Sequence, residues 1–316
     1  MQKLYDHLCR YSAADWIRTV DTLAVNIDPI DREATRIWFA FYPLPLQLAL
    51  DAAADKPATE RKFGLMGQWG LANTIDSSHR FVYAHRYWPE VKAAIAAIEQ
   101  APSELGALIT QVADAACRPA RVERAVVLGM AAIGLMTLRQ VGPQAFAAAP
   151  GKVHLSDALR AKSREQILKT RAKDDWQGLF GALRGAKKLW TVRFDENEPD
   201  AEFIAIQSQD LASAAQSDKR EYRSKDARCI PNEGPIPVEC RAASCGTCWI
   251  GVLGGAEKLS PVNDRDERRR MKVFGYVDSP EERPLVRLAC QAKAHGAVSI
   301  VIPPWNGVFA NGMKRP

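Results

Sequence analysis

The sequence predicts an α+β protein of two domains, with an N-terminal all-α domain and a C-terminal domain that holds the strands. At 316 residues the chain is long enough for two hydrophobic cores. Apolar side chains recur at helical spacing up to about residue 186, and the pattern changes to strand-like alternation from Leu189. We therefore place a helical domain at residues 1–186 and a second domain at residues 187–316.

The helical domain is predicted from amphipathic stretches and from capping and breaking residues. Asp31 is expected to cap a helix that breaks at Pro43 and Pro45, and Pro89 is a favourable first helical residue. A helix capped by Ser103 follows, and Gly142-Pro143 should end the next one. The predicted helices are Leu4–Tyr11, Ala14–Val25, one from Asp31, one from Pro89 to Pro102, one from Ser103, Arg121–Val141 and a long, charge-rich connector, Ser156–Arg184, with Leu159, Ile167, Leu168, Trp176 and Leu179 as its apolar stripe.

Four strands are predicted in the C-terminal domain. Trp190–Phe194 alternates like a half-buried strand, and Phe203–Ile206 follows after a turn at Asn197–Asp200. Two further apolar runs, Trp249–Leu253 and Val298–Ile302, complete the set.

Cysteine spacing gives the strongest chemical signal. Cys240, Cys245 and Cys248 follow the pattern C-x4-C-x2-C, and Cys290 stands alone further on. This spacing is typical of a [2Fe–2S] cluster held by four thiolates. A four-thiolate zinc site is an alternative, although zinc ribbons usually pair two C-x2-C knuckles. Disulfides are a third interpretation, which the odd total of seven cysteines disfavours.

The residues around these cysteines resemble the plant-type [2Fe–2S] ferredoxin family. The similarity rests on Cys240-Arg241, Cys245–Leu253, Arg287–Gln291 and Val298–Pro303, and it extends over about residues 189–310. The resemblance implies a β-grasp fold and a [2Fe–2S] cluster bound by Cys240, Cys245, Cys248 and Cys290. It also implies one-electron transfer at a potential on the order of −400 mV. The N-terminal part resembles no family known to us.

Two features depart from the family pattern. Ala243 stands where many members have glycine, which costs energy if the position needs a positive φ. The 41 residues between Cys248 and Cys290 form a longer gap than expected, and they contain the charged run Asp264–Arg270. We interpret that run as a solvated helix face, with a docking surface as the alternative.

Charge and hydropathy limit the partners and the location. Residues 187–316 carry 20 basic and 18 acidic side chains, so this domain lacks the acidity that steers diffusing ferredoxins to basic partners. A carrier tethered to a redox partner is therefore expected, and no basic stripe indicates nucleic acid. The run Ala125–Leu138 is shorter than the ~20 residues that span a bilayer. With no signal-peptide pattern at the N-terminus, we expect a cytoplasmic protein without a transmembrane segment.

A second concentration of functional side chains lies at residues 75–89. His79 and His85 could not share one face of a helix, so we favour a structural network over metal or haem ligation. Cys9, Cys117 and Cys229 are expected to be buried free thiols, and His295 a surface residue. Trp249 is expected either to shield the cluster from water or to begin the core of its strand.

Taken together, these patterns predict a one-electron carrier, docked through its helical domain to a redox partner. The absence of G-x-G-x-x-G and P-loop patterns argues against a nucleotide site of the usual kinds, and the chain favours electron transfer over catalysis on its own. One alternative is an electron-feeding subunit of an oxidoreductase, with a substrate or second cofactor near His79, Tyr83 and His85. Another is a redox sensor with residues 264–270 as its switch surface.

Overall fold

A computed structural model describes residues 1–174, 188–273 and 281–306. The chain divides into two compact units. The first contains Met1–Ala49 and Gly70–Arg164, and the second contains Leu50–Trp69 and Glu165–Pro316. The chain therefore passes from one unit to the other three times. The predicted boundary between residues 186 and 187 lies outside the described residues.

The described part of the chain up to residue 174 is built from helices and short turns. A 3₁₀ turn, Tyr83–Tyr87, precedes the sixth α-helix, and two others lie at Ala24–Asn26 and Leu71–Asn73. In chain order the α-helices are α1 (Gln2–Leu8), α2 (Ala13–Leu23), α3 (Pro29–Phe41), α4 (Leu44–Asp51), α5 (Lys56–Lys62), α6 (Trp88–Ala96), α7 (Leu105–Ala120), α8 (Arg124–Ala148), α9 (Asp157–Arg160) and α10 (Arg164–Thr170).

Helix α8 forms the centre of the first unit, where it contacts α1, α3, α6 and α7. Every residue from Val126 to Leu138 is buried. At Gly129 a Cβ atom would clash with Thr35 Oγ1, so glycine permits the close approach of α3. The helix is interrupted at Gly142, whose φ of 81° is not helical, as the Gly142-Pro143 pair predicts.

Helix α8 is also the one candidate membrane span in the described part of the chain. Its 25 residues have a mean hydropathy of 1.5 in the most apolar window, which passes a test of length and composition for crossing a bilayer. However, 72% of that window is buried inside the fold, and the core helix of a soluble protein passes the same test. The length and composition of α8 are therefore weak evidence for a membrane span.

Two predicted helix caps are wrong. The cap of α3 is Asp28, whose carboxylate accepts from Ile30 N at 3.1 Å, because Pro29 already begins the helix. Asp31 is fully buried inside α3 and accepts instead from Tyr83 N at 2.6 Å and Ala84 N at 2.8 Å. Ser103 is not a cap either, because α7 begins after Glu104.

The long connector predicted from Ser156 is not one helix. Ser156 does cap a helix, accepting from Leu159 N, but α9 ends at Arg160. The guanidinium of Arg86 donates to the carbonyl oxygens of Leu159 and Lys162, which offer acceptors at this interruption. Helix α10 then ends before Ala172, which has a left-handed φ of 50°. The predicted stripe residues Trp176 and Leu179 lie outside the described residues.

The second unit contains a mixed five-stranded sheet. Its strands are β1 (Leu189–Arg193), β2 (Glu202–Ile206), β3 (Trp249–Gly254), β4 (Val286–Leu288) and β5 (Val298–Val301). Their order in the sheet is β2-β1-β5-β3-β4. The central pair, β1 and β5, is parallel, and the other neighbours are antiparallel. Four strands match the prediction. The prediction missed β4, because its three residues are all buried and show no alternation.

Short helices and turns fill the connections of this unit. Helix α11 (Leu211–Ala215) is capped by Asp210 and follows β2. The charged run predicted as a solvated helix face is a π-helical turn, Asp264–Arg268, which leads into α12 (Arg269–Val273). Arg265, Asp266 and Arg269 are exposed, as predicted for a solvated face, but Glu267 is fully buried.

Residues from the segment Leu50–Trp69 bond to the end of the described chain. Gly67 forms an isolated antiparallel bridge with Trp305, and Asn306 N donates to Met66 O at 3.1 Å. The rings of Trp69 and Trp305 pack edge to face at 5.6 Å. These contacts explain why a segment from the helical part of the sequence joins the second unit.

Candidate functional site

The loop that carries the first three cysteines has a backbone of alternating handedness. Arg241 and Ala243 have φ angles of 53° and 55°, and Gly246 has 72°. Left-handed residues alternating with right-handed ones turn successive N–H groups toward a common centre, a concavity that binds anions and occurs at iron–sulfur sites. The position that Ala243 occupies therefore does need a positive φ.

The amides of this loop converge on one sulfur. Cys240 Sγ accepts hydrogen bonds from Ala242 N at 3.4 Å and from Ser244 N and Cys245 N, both at 3.2 Å. A sulfur that accepts several backbone N–H groups is stabilised as a thiolate. The loop is thus shaped around negative charge at Cys240.

Strand pairing brings Cys248 and Cys290 together. Trp249 at the start of β3 pairs with Leu288 at the end of β4, and Ala289 N donates to Cys248 O at 2.8 Å. Each of these two thiols shifts the pKa of the other, which is consistent with neighbouring side chains. The fold therefore places the isolated fourth cysteine beside the third.

The cysteines are organised as two pairs. The backbone N–H of Cys245 donates to Cys240 Sγ at 3.2 Å, and the pairing of β3 with β4 places Cys248 beside Cys290. Among the described residues, no group of three or more His, Cys, Asp or Glu side chains is placed to hold a single metal ion. A tetrahedral zinc site needs four ligands around one ion, whereas each iron of a [2Fe–2S] cluster takes two protein thiolates. Two neighbouring pairs fit the second requirement.

The pKa values of these thiols follow from their hydrogen bonds. Burial raises the pKa of Cys240, but the bonds from Ser244, Ala242 and Cys245 outweigh burial and lower that pKa to about 6. The bond from Cys248 lowers the pKa of Cys290 to about 7, and the same bond together with burial raises the pKa of Cys248. Metal ligation requires deprotonated thiols, and the lowered pKa values of Cys240 and Cys290 favour that form.

Thr247 supports the loop from inside. Its Oγ1 accepts from Glu239 N at 3.1 Å, so its hydroxyl proton is free to point to Cys245 Sγ, 3.2 Å away. Thr247 is 7% exposed. Thr247 lies between the second and third cysteines of the spacing, and sequence reasoning did not single it out.

A buried ion pair lies behind the second cysteine pair, and sequence reasoning missed it. Arg287 in β4 makes a bidentate contact with Glu267 at 2.7 and 2.9 Å, and both side chains are fully buried. The same carboxylate accepts from Leu288 N at 3.0 Å. Glu267 therefore fixes the strand that leads directly to Cys290.

The remaining cysteines have separate environments. Cys229 is buried, as predicted, and burial raises its pKa to about 11 while its thiol contacts Pro235 O at 3.4 Å. The prediction of a buried Cys9 is wrong, because this residue follows the last turn of α1 and is exposed. Cys117 is only half-buried and bonds to Asp114 O within its own helix.

Trp249 and His295 were also singled out from the sequence. Trp249 is 1% exposed at the start of β3, so it belongs to the core, and its role as a shield of the cluster stays a prediction. His295 lies on the surface, as predicted, where its Nδ1 is 3.2 Å from Gln207 Nε2.

In the first unit, His79 and His85 form a buried pair. Their Nδ1 atoms are 2.9 Å apart, and both residues are fully buried. Burial holds the pKa of His79 well below its usual 6.5 and lowers that of His85 to about 4. Both imidazoles are therefore neutral at pH 7. The predicted structural network is present in part, but among the described residues neither Nε2 atom has a hydrogen-bond partner.

Hydrogen bonds fix the segment around this pair. Asp76 accepts from Trp88 Nε1 at 2.8 Å and from Gly151 N at 2.8 Å, and Asp31 holds the turn that begins at Tyr83. Tyr83 also lies beneath the guanidinium of Arg86, 3.7 Å from its ring centre. The position of the two histidines is therefore defined by fixed neighbours.

Comparison with protein families identifies the C-terminal segment. Residues 218–295 match the 2Fe-2S iron-sulfur cluster binding domain, a match that covers less than half of the chain but includes all four paired cysteines. Neither the curated proteins nor the solved structures give a significant match to this chain. The C-terminal segment is therefore of the ferredoxin type, and its domain binds a 2Fe–2S cluster, as the cysteine spacing predicted.

Proposed function

We propose that this protein is a one-electron carrier whose single cluster is held by Cys240, Cys245, Cys248 and Cys290. A 2Fe-2S iron-sulfur cluster binding domain at residues 218–295 supports an electron-carrier role. The observation that carries the ligand assignment is the arrangement of the four cysteines in two neighbouring pairs, the first within a loop of converging amides. When bound, the cluster supplies reversible uptake and release of one electron through its iron atoms.

The pairing supports a specific assignment of ligands to irons. Cys240 and Cys245 would bind one iron, and Cys248 and Cys290 the other. The amides of Ala242, Ser244 and Cys245 favour negative charge on the first pair. Since added electron density raises the negative charge of the site, these donors stabilise the reduced form more than the oxidised form.

We also propose the β-grasp fold for the second unit. The mixed sheet with a parallel central pair β1–β5, and helix α11 after the first two strands, supports this assignment. The helical part of the chain would dock the carrier to a reductase or oxidoreductase complex. Four cysteines kept as thiols beside three further free cysteines favour a reducing compartment such as the cytoplasm.

Iron and sulfide analysis of the full chain, purified without oxygen, tests the proposal. We expect two irons and two sulfides per chain and an EPR signal that appears only after reduction. Replacing any one of the four cysteines with serine should abolish or strongly alter that signal, whereas Cys229→Ser should leave it unchanged. Zinc in place of iron, or a normal signal from Cys290→Ser, would overturn the assignment.

A second candidate function is supported by the buried histidine pair. A bound molecule is one explanation for an unsatisfied polar atom in a protein core, and among the described residues neither Nε2 atom has a partner. The helical unit would then bind a substrate or second cofactor, and the cluster would feed it electrons. Native mass spectrometry of the intact chain and of His79→Ala tests this, because only a bound molecule gives a mass increment that the variant loses.

A further inference from the structure

The side chain of Gln291 contacts the fourth cysteine directly. Its Nε2 lies 3.5 Å from Cys290 Sγ and 3.0 Å from Cys290 O. A side-chain amide nitrogen carries two protons, so one N–H can point to each acceptor. Both neighbours are acceptors, which fixes the orientation of the amide with its nitrogen toward the sulfur.

The backbone around Gln291 holds it in place. Gln291 N donates to Leu288 O at 2.9 Å, which closes a turn at the end of β4. Leu288 is itself bonded to the buried carboxylate of Glu267, and the hydroxyl of Ser260 reaches Gln291 O at 3.5 Å. The amide is therefore presented to the sulfur by a fixed turn.

The surroundings make this contact effective. Cys290 is only 7% exposed, and its neighbours Ala289 and Ala292 are fully buried. In such a water-poor environment a hydrogen bond to a charged sulfur is stronger than in water. Hydrogen bonds to the ligand sulfurs and solvent exposure are two of the factors that set the potential of an iron–sulfur cluster.

We propose that Gln291 is a positioning residue that raises the reduction potential of the site through its N–H bond to Cys290 Sγ. The inference rests on the proposed function, because it takes Cys290 as a ligand. Uptake of one electron adds one negative charge and forms or breaks no bond in the protein. The Gln291 N–H group stabilises that added charge, so its removal should make reduction less favourable.

Redox titration of the full-length protein, followed by EPR, tests the proposal. Gln291→Leu removes the donor and keeps a side chain of similar length, and Gln291→Glu keeps the shape but places an acceptor beside the sulfur. We expect both variants to bind two irons and two sulfides and to have more negative midpoint potentials than the wild type, with the larger change in Gln291→Glu. Gln216→Leu is the matched control, since Gln216 is also partly buried but follows helix α11. Its potential should equal that of the wild type.

Three results separate failure of this inference from failure of the proposed function. Wild-type potentials in both Gln291 variants, with full iron and sulfide, would overturn the role of Gln291 and leave the carrier intact. Loss of the cluster in both variants would also overturn it, because Gln291 would then be needed for assembly. Absence of iron and sulfide from the wild-type protein would overturn the proposed function itself.

Discussion

The Cys240 loop and the His79–His85 pair are both built from short irregular segments, but they treat their titratable side chains in opposite ways. In the loop, three backbone N–H groups converge on one sulfur. In the histidine pair, the two Nδ1 atoms face each other at 2.9 Å, and within the described part of the chain neither Nε2 atom has a partner. The first arrangement surrounds an anionic sulfur with several N–H donors, whereas the second surrounds two neutral rings with few hydrogen-bonding groups.

A lowered pKa therefore has opposite consequences in the two regions. The hydrogen bonds from Ser244, Ala242 and Cys245 lower the pKa of Cys240 to about 6 against the effect of burial, which favours the charged thiolate at pH 7. Burial lowers the pKa of His85 to about 4, which favours the neutral imidazole. One region is organised to hold negative charge, whereas the other excludes positive charge. Three variants or conditions test this contrast.

The largest loss of stability is expected from Glu267→Ala, which removes the charge partner of Arg287 in the strand that leads to Cys290. Arg287 would remain fully buried without its carboxylate, and Leu288 N would lose its acceptor. Loss of one partner of a buried ion pair costs about 3–5 kcal/mol of unfolding free energy. Urea unfolding of the full chain should show this loss, together with faster release of iron.

Arg265→Ala is the matched control, because Arg265 lies in the same charged run but is exposed. Its unfolding free energy should stay within about 0.5 kcal/mol of the wild-type value, as for an ordinary surface substitution. Equal stabilities of the Glu267 and Arg265 variants would mean that the buried pair does not support the strand before Cys290.

Mild acid should lower the unfolding free energy of the chain through the histidine pair. The pKa of His85 is about 4 in the folded chain, lowered by burial and by Arg80 and His154 and opposed by Asp76, against 6.5 when unfolded. Below pH 6.5 the unfolded chain binds protons that the folded chain does not, so stability falls until the pH reaches the folded value. For His85 this difference corresponds to a loss of about 3 kcal/mol of unfolding free energy between pH 6.5 and 4. Protonation of His79 in the unfolded chain adds to this loss.

Unfolding free energies at pH 7.5, 6.5 and 5.5 measure this effect before most carboxylates titrate. The double variant His79→Phe/His85→Phe removes both titrating rings, so its unfolding free energy should change less with pH. His154→Gln, at an exposed position, should keep most of the change seen in the wild type. The same slope in the wild type and the double variant would show that the pair titrates normally and that the contrast with Cys240 is wrong.

Local features of the sequence predicted the cofactor, because ligand spacing is set by the covalent chain. Cys240, Cys245 and Cys248 are close in sequence, so their spacing favours a [2Fe–2S] cluster over a zinc site, and the alternating strands β1 and β2 were equally visible. Features that depend on distant partners could not be found in this way. A charged run suggests a solvated face, but Glu267 is buried because Arg287 lies twenty residues later.

The segment Leu50–Trp69 illustrates the same limit at the level of domains. Its sequence continues the helical pattern before it, and its membership of the second unit depends on Trp305 and Asn306. Likewise, Asp31 looks like a cap from its own position in the chain. Its actual role depends on amides at residues 83 and 84, which no local pattern reveals.

The smallest effect is expected from Ala243→Gly, which tests whether the loop stores strain in order to hold its donors. Ala243 has a φ of 55° and is 3% exposed. Glycine would relieve about 1–2 kcal/mol of left-handed strain. It would also lose about 0.5–1 kcal/mol through chain entropy and about 0.8 kcal/mol through the buried methyl group. The net change should lie near zero.

Ala242→Gly provides the contrast for that small effect. Ala242 is exposed and lies outside the set of positive-φ residues, so glycine there has only the entropic cost, a loss of about 0.5–1 kcal/mol. The urea midpoint for bleaching of the visible iron–sulfur absorption should therefore fall for Ala242→Gly and stay close to the wild type for Ala243→Gly. Equal losses in both would mean that residue 243 carries no strain, and the donors of the loop would then be held by the sheet and by Thr247 instead.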